Sequence, residues 1–221
     1  MSGGDLDLSV YLVLGQADCR HHALDAVVEA ALAGGATCVQ LREKHLGAEA
    51  YLELARRLLP SLDRAGIPFV VNDRVEEALT LGAAEGRVAV HLGQGDMPVA
   101  EARDRLGPTP VLGLSVRTPE EAVAVPDGLV DHLGVGPAYA TTTKDSAPTP
   151  IGPRGLAAVR AVTSLPLVGI GGITAARAPE IVAAGAQGVA VVSAIAGAED
   201  PEAATREIAE AVARARLAHS V

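Results

Sequence analysis

Eight short runs of β-forming residues alternate with longer stretches of helical periodicity along almost the whole chain, and this alternation constrains its fold most. The runs are Ser9 to Leu14, Thr37 to Leu41, Pro68 to Val71, Val88 to Leu92, Pro110 to Leu114, Leu129 to Val135, Leu167 to Ile170 and Gly188 to Val192. Strands that alternate with helices in this way run parallel and are joined by right-handed crossovers, and eight such units close into a (β/α)8 TIM barrel of the α/β class. An open doubly wound sheet is the alternative. The barrel is favoured because polar or glycine-rich residues follow nearly every run, as expected if all those ends converge on one mouth. Only four aromatic residues occur, Tyr11, Tyr51, Phe69 and Tyr139. The core must therefore be built from Val, Leu, Ile and Ala, which suits buried parallel strands.

The helical stretches carry their own punctuation. From His22 to Ala33, the residues Leu24, Val27, Val28, Ala31 and Leu32 recur at helical spacing, and Gly34-Gly35 supplies a stop. Thr118-Pro119-Glu120-Glu121 reads as a capping box with proline in the first turn, and Asp200-Pro201 opens the last helix in the same manner. Pro60 interrupts the second helical pattern, and the segment from Gly82 to Arg87 is longer than the pairing of its flanking strands requires. No linker or change of composition divides the chain, so residues 1–221 are expected to form a single domain, with 1–8 as a flexible N-terminal extension.

A net charge of −9 argues against a general nucleic-acid binder or a protein of anionic membrane surfaces, both of which need surplus Lys and Arg. The start MSGGDLDLS has neither a basic region nor a long apolar run, and Cys19 and Cys38 make no disulfide framework. A cytoplasmic protein with reduced, structural thiols is the expectation, acting on small molecules. The sequence leaves a homodimer open.

Four stretches carry donors for anions. In GVGPAYATTTK, from Gly134 to Lys144, glycines free backbone N–H groups, Thr141, Thr142 and Thr143 add hydroxyls, and Lys144 adds a point charge. QLREK ends the second strand; if it stays extended, Gln40, Arg42 and Lys44 share one face. A solvated charged turn is the plainer reading of that run. Asn72-Asp73 follows the third strand and Asp96 the fourth. Two carboxylates just past neighbouring strand ends suit one Mg²⁺, a hard cation that takes one or two protein carboxylates together with phosphate oxygens and water. Helix capping is the other reading of both. VGIGGI and VVSAI close the set, with Gly171, Gly172 and Ser193 in the region where barrels often bind phosphate. Ser115, directly after the fifth strand, has no acid–histidine pair in a hydrolase arrangement and reads as a hydrogen-bonding group, while His91 reads as a hydrogen-bonded core histidine. His21, His22 and Cys19 lack partners at a zinc-type spacing. Arg42, Lys44 and Lys144 with Mg²⁺ would serve a multiply charged group, and Thr141, Thr143, Gly172 and Ser193 a singly phosphorylated one. A diphosphate held beside a monophosphate suggests group transfer with diphosphate leaving.

QLREK, VNDR, HLGQGD, GLS, GVGPAYATTTK, VGIGGI and VVSAI, in this order, resemble the thiamine-phosphate synthase family from about Tyr11 to Ala211. The resemblance implies a (β/α)8 barrel that joins 4-amino-5-hydroxymethyl-2-methylpyrimidine diphosphate to 4-methyl-5-(2-phosphoethyl)thiazole, giving thiamine phosphate and diphosphate. It implies that the pyrimidine diphosphate is met by Gln40, Leu41, Arg42, Glu43, Lys44, Asn72, Ser115 and Lys144, with Arg42, Lys44, Ser115 and Lys144 catalytic. Asp73 and Asp96 would carry Mg²⁺, and the thiazole phosphate would lie against Thr141, Thr142, Thr143, Gly172, Val192 and Ser193. The implied mechanism is dissociative: the C–O bond to diphosphate breaks first, and the thiazole nitrogen captures the methylene cation. A related thiazole tautomerase, which needs no diphosphate site, and a non-catalytic phosphate-binding protein are the competing expectations. The chain departs from the family pattern in its longer first loop, ADCRHH, and in the GAAEGRVAV link before HLGQ.

Overall fold

The computed structural model describes residues 6–141 and 149–219. Eight strands form a closed, wholly parallel barrel in sequence order: β1 (Val10–Leu14), β2 (Cys38–Leu41), β3 (Phe69–Asn72), β4 (Ala89–Leu92), β5 (Leu112–Val116), β6 (His132–Val135), β7 (Leu167–Ile170) and β8 (Gly188–Val191). Pairing of Val10 with Val189 closes the ring, which rules out the open sheet. Around it lie α1 (Leu24–Gly34), α2 (Ala48–Ala65), α3 (Val75–Thr80), α4 (Val99–Leu106), α5 (Pro119–Val123), α6 (Gly152–Arg160), α7 (Ala178–Ala183), the short α8 (Ser193–Ala196) and α9 (Pro201–His219).

The period of two along each strand sorts side chains into two cores. Leu12, Leu14, Val39, Leu41, Val71, Val90, Leu92, Leu133 and Val135 face the helices and pack with residues such as Val27, Val28, Ala31, Leu58 and Leu62. Tyr11, Val13, Cys38, Val70, Ala89, Val168 and Ala190 fill the barrel itself. Leu8, assigned by the sequence to the N-terminal extension, is buried in this inner core.

Three local expectations change. Pro60 does not interrupt α2, which runs through it. The hydrogen bond that proline forfeits belongs to the carbonyl of Arg56; both residues are exposed, so water can take that bond. The Thr118 hydroxyl caps α5 by accepting from Glu121 N–H at 3.3 Å, but the reciprocal Glu121 carboxylate reaches back to Arg117 N–H, one residue before the cap. The link from Gly82 to Arg87 folds into successive turns that bury Ala83, with Arg87 N–H donating to Gly82 O at 3.0 Å. The stop at Gly35 (φ 99°) and the Asp200 cap on Ala203 N–H (2.9 Å) are as the sequence predicts.

Candidate active site

At the mouth the inner face of the barrel turns polar. Continuing the period of two beyond Cys38, Val70 and Ala89 brings Gln40, Asn72 and His91 inward, and all three are buried. Ser115 lies within β5, not after it, and its hydroxyl sits 2.9 Å from His91 Nε2. Gln40 Nε2 donates to Tyr11 Oη at 2.7 Å. Beneath them His132 opens β6, fully buried, with neither ring nitrogen hydrogen-bonded. Burial pushes its pKa down to about 4, which keeps it neutral. Both imidazoles fit because β5 carries Gly113 at this level: a Cβ there would stand 2.4 Å from each ring.

The two carboxylates meet. Asp73 follows β3 with φ 66°, uncommon for a residue with a Cβ, and its N–H is tied to His91 O on the neighbouring β4 at 2.9 Å. Burial, then a hydrogen bond and charge repulsion from Asp96, push the Asp73 carboxyl from an ordinary 3.8 up to about 6, against the opposing pull of Lys44. Lys44 Nζ lies 3.1 Å from Asp73 Oδ2. Asp96 Oδ2 also accepts from Gly93 N–H at 2.8 Å. Neither side chain caps a helix: Arg74 and Pro98 occupy the cap positions of α3 and α4, and neither cap is made by a side chain. The capping reading of Asp73 and Asp96 therefore fails.

QLREK is not one extended face. The strand ends at Leu41, and the residues beyond it form a loop held from two sides. Arg74, absent from the expected site, donates from Nε to Glu43 O (3.1 Å) and from its second guanidinium nitrogen to Leu46 O. It also pairs with Glu77 at 2.7 Å and stacks on Tyr51 with 4.7 Å to the ring centroid. The Glu43 carboxylate accepts from Gln16 N–H in the first loop. Leu41 is buried among the outer-core residues, facing away from the mouth. Arg42 N–H bonds to Leu14 O at 2.8 Å, while its guanidinium has no acceptor among the described residues.

On the other side of the mouth the loop after β6 lies against the loop after β7. Ala138 N–H donates to Ile170 O (2.8 Å) and Tyr139 N–H to Gly171 O (2.9 Å). Gly171 (φ 99°) and Gly172 (φ 63°) are required by this contact, since a Cβ would stand 2.6 Å from Pro137 and 2.5 Å from Ala140 O respectively. Tyr139 lies under Arg177, 4.5 Å from its ring centroid, and donates to Glu180 at 2.9 Å, while Arg177 bonds Gly172 O at 2.7 Å. The returning chain is pinned by Ile151 N–H to Pro137 O and Gly152 N–H to Ala138 O. Thr141 therefore leaves from a fixed stem, whereas Thr142, Thr143 and Lys144 lie outside the described residues. Ser193 begins α8 directly after Val192, at the end of the neighbouring β8.

The model of the thiamine monophosphate synthase family matches residues 10–195. The chain belongs to this family. Curated thiamine-phosphate synthases agree: the Chloroflexus aurantiacus protein is 48% identical over 204 residues, 92% of each chain, and the Laribacter hongkongensis protein is 48% identical over 206 residues, 92% of this chain and 94% of the relative. A solved structure titled thiamine phosphate pyrophosphorylase from Pyrococcus furiosus superposes with a TM-score of 0.84 at 31% identity, covering 95% of this chain and 98% of that one. Thiamine-phosphate synthases are transferases of thiamine biosynthesis, and the chain is an enzyme of this class. The carboxylate pair and the inward Gln40, Asn72 and Ser115 were legible as motifs. Arg74, Tyr11 and Gly113 were not, although the position of Arg74 in VNDR, next to Asp73, was a usable signal.

Proposed function

We propose that this barrel joins 4-amino-5-hydroxymethyl-2-methylpyrimidine diphosphate to 4-methyl-5-(2-phosphoethyl)thiazole, releasing diphosphate and forming thiamine phosphate. The observation that carries the reading is the meeting of Asp73 and Asp96 beside Lys44 at the mouth. Two carboxylates forced together, one with its pKa raised by burial and by the other, form an oxygen donor set suited to a hard divalent cation. Asp73 and Asp96 would hold Mg²⁺, which supplies charge neutralisation for the departing diphosphate. Lys44, beside Asp73, and Arg42, two residues before it in the same loop, meet the remaining phosphate charge together with Lys144. Gln40 and Asn72, buried at the bottom of the mouth, and the half-buried Ser115 orient the pyrimidine. Thr141, Thr142, Thr143, Gly172, Val192 and Ser193 receive the thiazole phosphate, Gly172 through its backbone. Leu41 and Glu43, at the end of β2 and just beyond it, belong to the same proposed pyrimidine-diphosphate segment.

In the proposed mechanism the C–O bond to diphosphate breaks first, the aminopyrimidine stabilises the methylene cation, and the thiazole nitrogen captures it. The protein needs no nucleophile, and its contribution is positioning and charge stabilisation. Isomerisation of the thiazole phosphate would leave Asp73, Asp96 and Lys44 without a task. No helix among the described residues is long and apolar enough to cross a membrane, in keeping with a cytoplasmic enzyme of small-molecule substrates working as one barrel domain. Association into a homodimer is an open part of the proposal, read directly by sedimentation.

The test is to mix the purified protein with both substrates and Mg²⁺ and to identify products by mass spectrometry. Thiamine phosphate and diphosphate formed in equal amounts support the reading. An isomerised thiazole phosphate, or bound ligand without turnover, would replace it.

A further inference from the structure

Gln40 lies near the end of β2, and its amide is held from below. Its Nε2 donates to the Tyr11 hydroxyl at 2.7 Å. Tyr11, on β1, lies directly opposite Cys38 in the parallel register, which sets the Cys38 side chain next to it in the inner core. All three side chains are buried in the barrel, and the phenol and thiol belong to its apolar inner core. A phenol has one proton to give. With that proton turned toward the Cys38 sulfur, the oxygen's lone pairs are left to accept from Gln40, so the amide presents Nε2 downward and Oε1 the other way. Among the described residues nothing donates to Oε1, and it is not one of the buried polar atoms sealed without a partner. It is left to the open mouth.

We infer that Tyr11, backed by Cys38, is a positioning residue that fixes the orientation of the Gln40 amide, so that the site offers a hydrogen-bond acceptor to the exocyclic amino group of an aminopyrimidine. This rests on the reaction proposed above. The amino group is the only N–H donor on that ring, and a fixed carbonyl is its complement. An amide free to turn would equally offer an N–H, which a ring lacking the amino group could accept through its nitrogens. Specificity for the aminopyrimidine therefore comes from a residue that never touches it.

The experiment compares binding of the 4-amino pyrimidine diphosphate with that of its 4-hydrogen analogue, by calorimetry with Mg²⁺ and without the thiazole, in wild type, Tyr11→Phe, Cys38→Ser and Cys38→Ala. Phenylalanine keeps the packed ring and deletes only the hydroxyl; the serine hydroxyl can still accept from Tyr11, whereas alanine cannot. Wild type is expected to bind the 4-amino ligand about tenfold more tightly or better, the worth of one buried hydrogen bond. Tyr11→Phe should bring that ratio to within about threefold, Cys38→Ala should lower it in the same direction, and Cys38→Ser should retain it. A wild-type ratio near one, or a ratio unchanged in folded Tyr11→Phe and Cys38→Ala, overturns the inference. Should Tyr11→Phe not fold, the two Cys38 variants decide alone. Turnover of wild type is measured separately, so failure of the proposed reaction is distinguished from failure of this inference.

Discussion

Arg74→Ala isolates the element that holds the loop carrying Arg42 and Lys44. The wild-type guanidinium bonds Glu43 O and Leu46 O, pairs with Glu77 and stacks on Tyr51. Glu43 and Leu46 are half-buried, so water replaces part of what truncation removes. At about 1 kcal/mol net for each of the three charge-assisted bonds, and roughly 0.5 kcal/mol for the stacking, the loss comes to about 3.5 kcal/mol. A domain of this length loses roughly 2–4 °C per kcal/mol, so calorimetry should show a melting temperature lower by about 7–14 °C. The same loop places Lys44 beside Asp73, so KM for the pyrimidine diphosphate should rise several-fold while KM for the thiazole phosphate stays near its wild-type value. Arg74→Lys should recover part of the stability through Glu77 and little of the KM, because an ammonium cannot reproduce the guanidinium fork. A melting temperature lowered by less than about 2 °C, or an equal rise in both KM values, would refute this account of the loop.

The raised Asp73 pKa makes a pH prediction. A carboxyl whose folded pKa, about 6, lies above its ordinary 3.8 costs stability when ionised, and that cost is relieved as pH falls from about 6 toward 4. Metal-free wild type should therefore gain on the order of 2 kcal/mol relative to Asp73→Asn between pH 7.5 and pH 4, read by urea unfolding; parallel pH profiles would contradict it. Protons and cation compete for the same oxygens, so apparent Mg²⁺ affinity should fall about tenfold between pH 7 and pH 5, measured by calorimetry. Gly113→Ala sets a methyl against both His91 and His132; overpacking should cost about 1–3 kcal/mol, and pairing it with His132→Ala should cost less than the two changes summed. Gly171→Ala combines φ 99° with a contact 2.6 Å from Pro137 and should lower the melting temperature by at least about 4 °C, with KM for the thiazole phosphate raised.

The architecture was legible because eight β-type runs alternate with helices and polar or glycine-rich residues follow nearly every run, as in a closed parallel barrel whose strand ends meet at one mouth. The carboxylates were legible as a candidate pair because Asp73 and Asp96 each follow a strand run, and β3 and β4 are neighbours in the barrel. Period two placed Gln40, Asn72 and His91 on inner positions, but misled at QLREK, where the strand stops at Leu41. Glu43 and Arg74 form contacts between loops far apart in sequence, Gln16 with Glu43 and Leu46 with Arg74, which no local pattern announces. Gly171 and Gly172 looked like ligand-approach glycines, and their tightest contact is with the neighbouring loop of the same chain. Pro60 looked like a breaker because propensity cannot see that its side of α2 faces water.

The most direct test of the central claim is diphosphate release, with both substrates present, as a function of Mg²⁺ concentration in wild type, Asp73→Asn, Asp96→Asn and the double variant. One shared cation site predicts that each single variant shifts the Mg²⁺ requirement far upward or abolishes release, and that the double variant is no worse than the more damaged single one. Wild-type Mg²⁺ dependence retained in either single variant would contradict the claim that these two carboxylates act together.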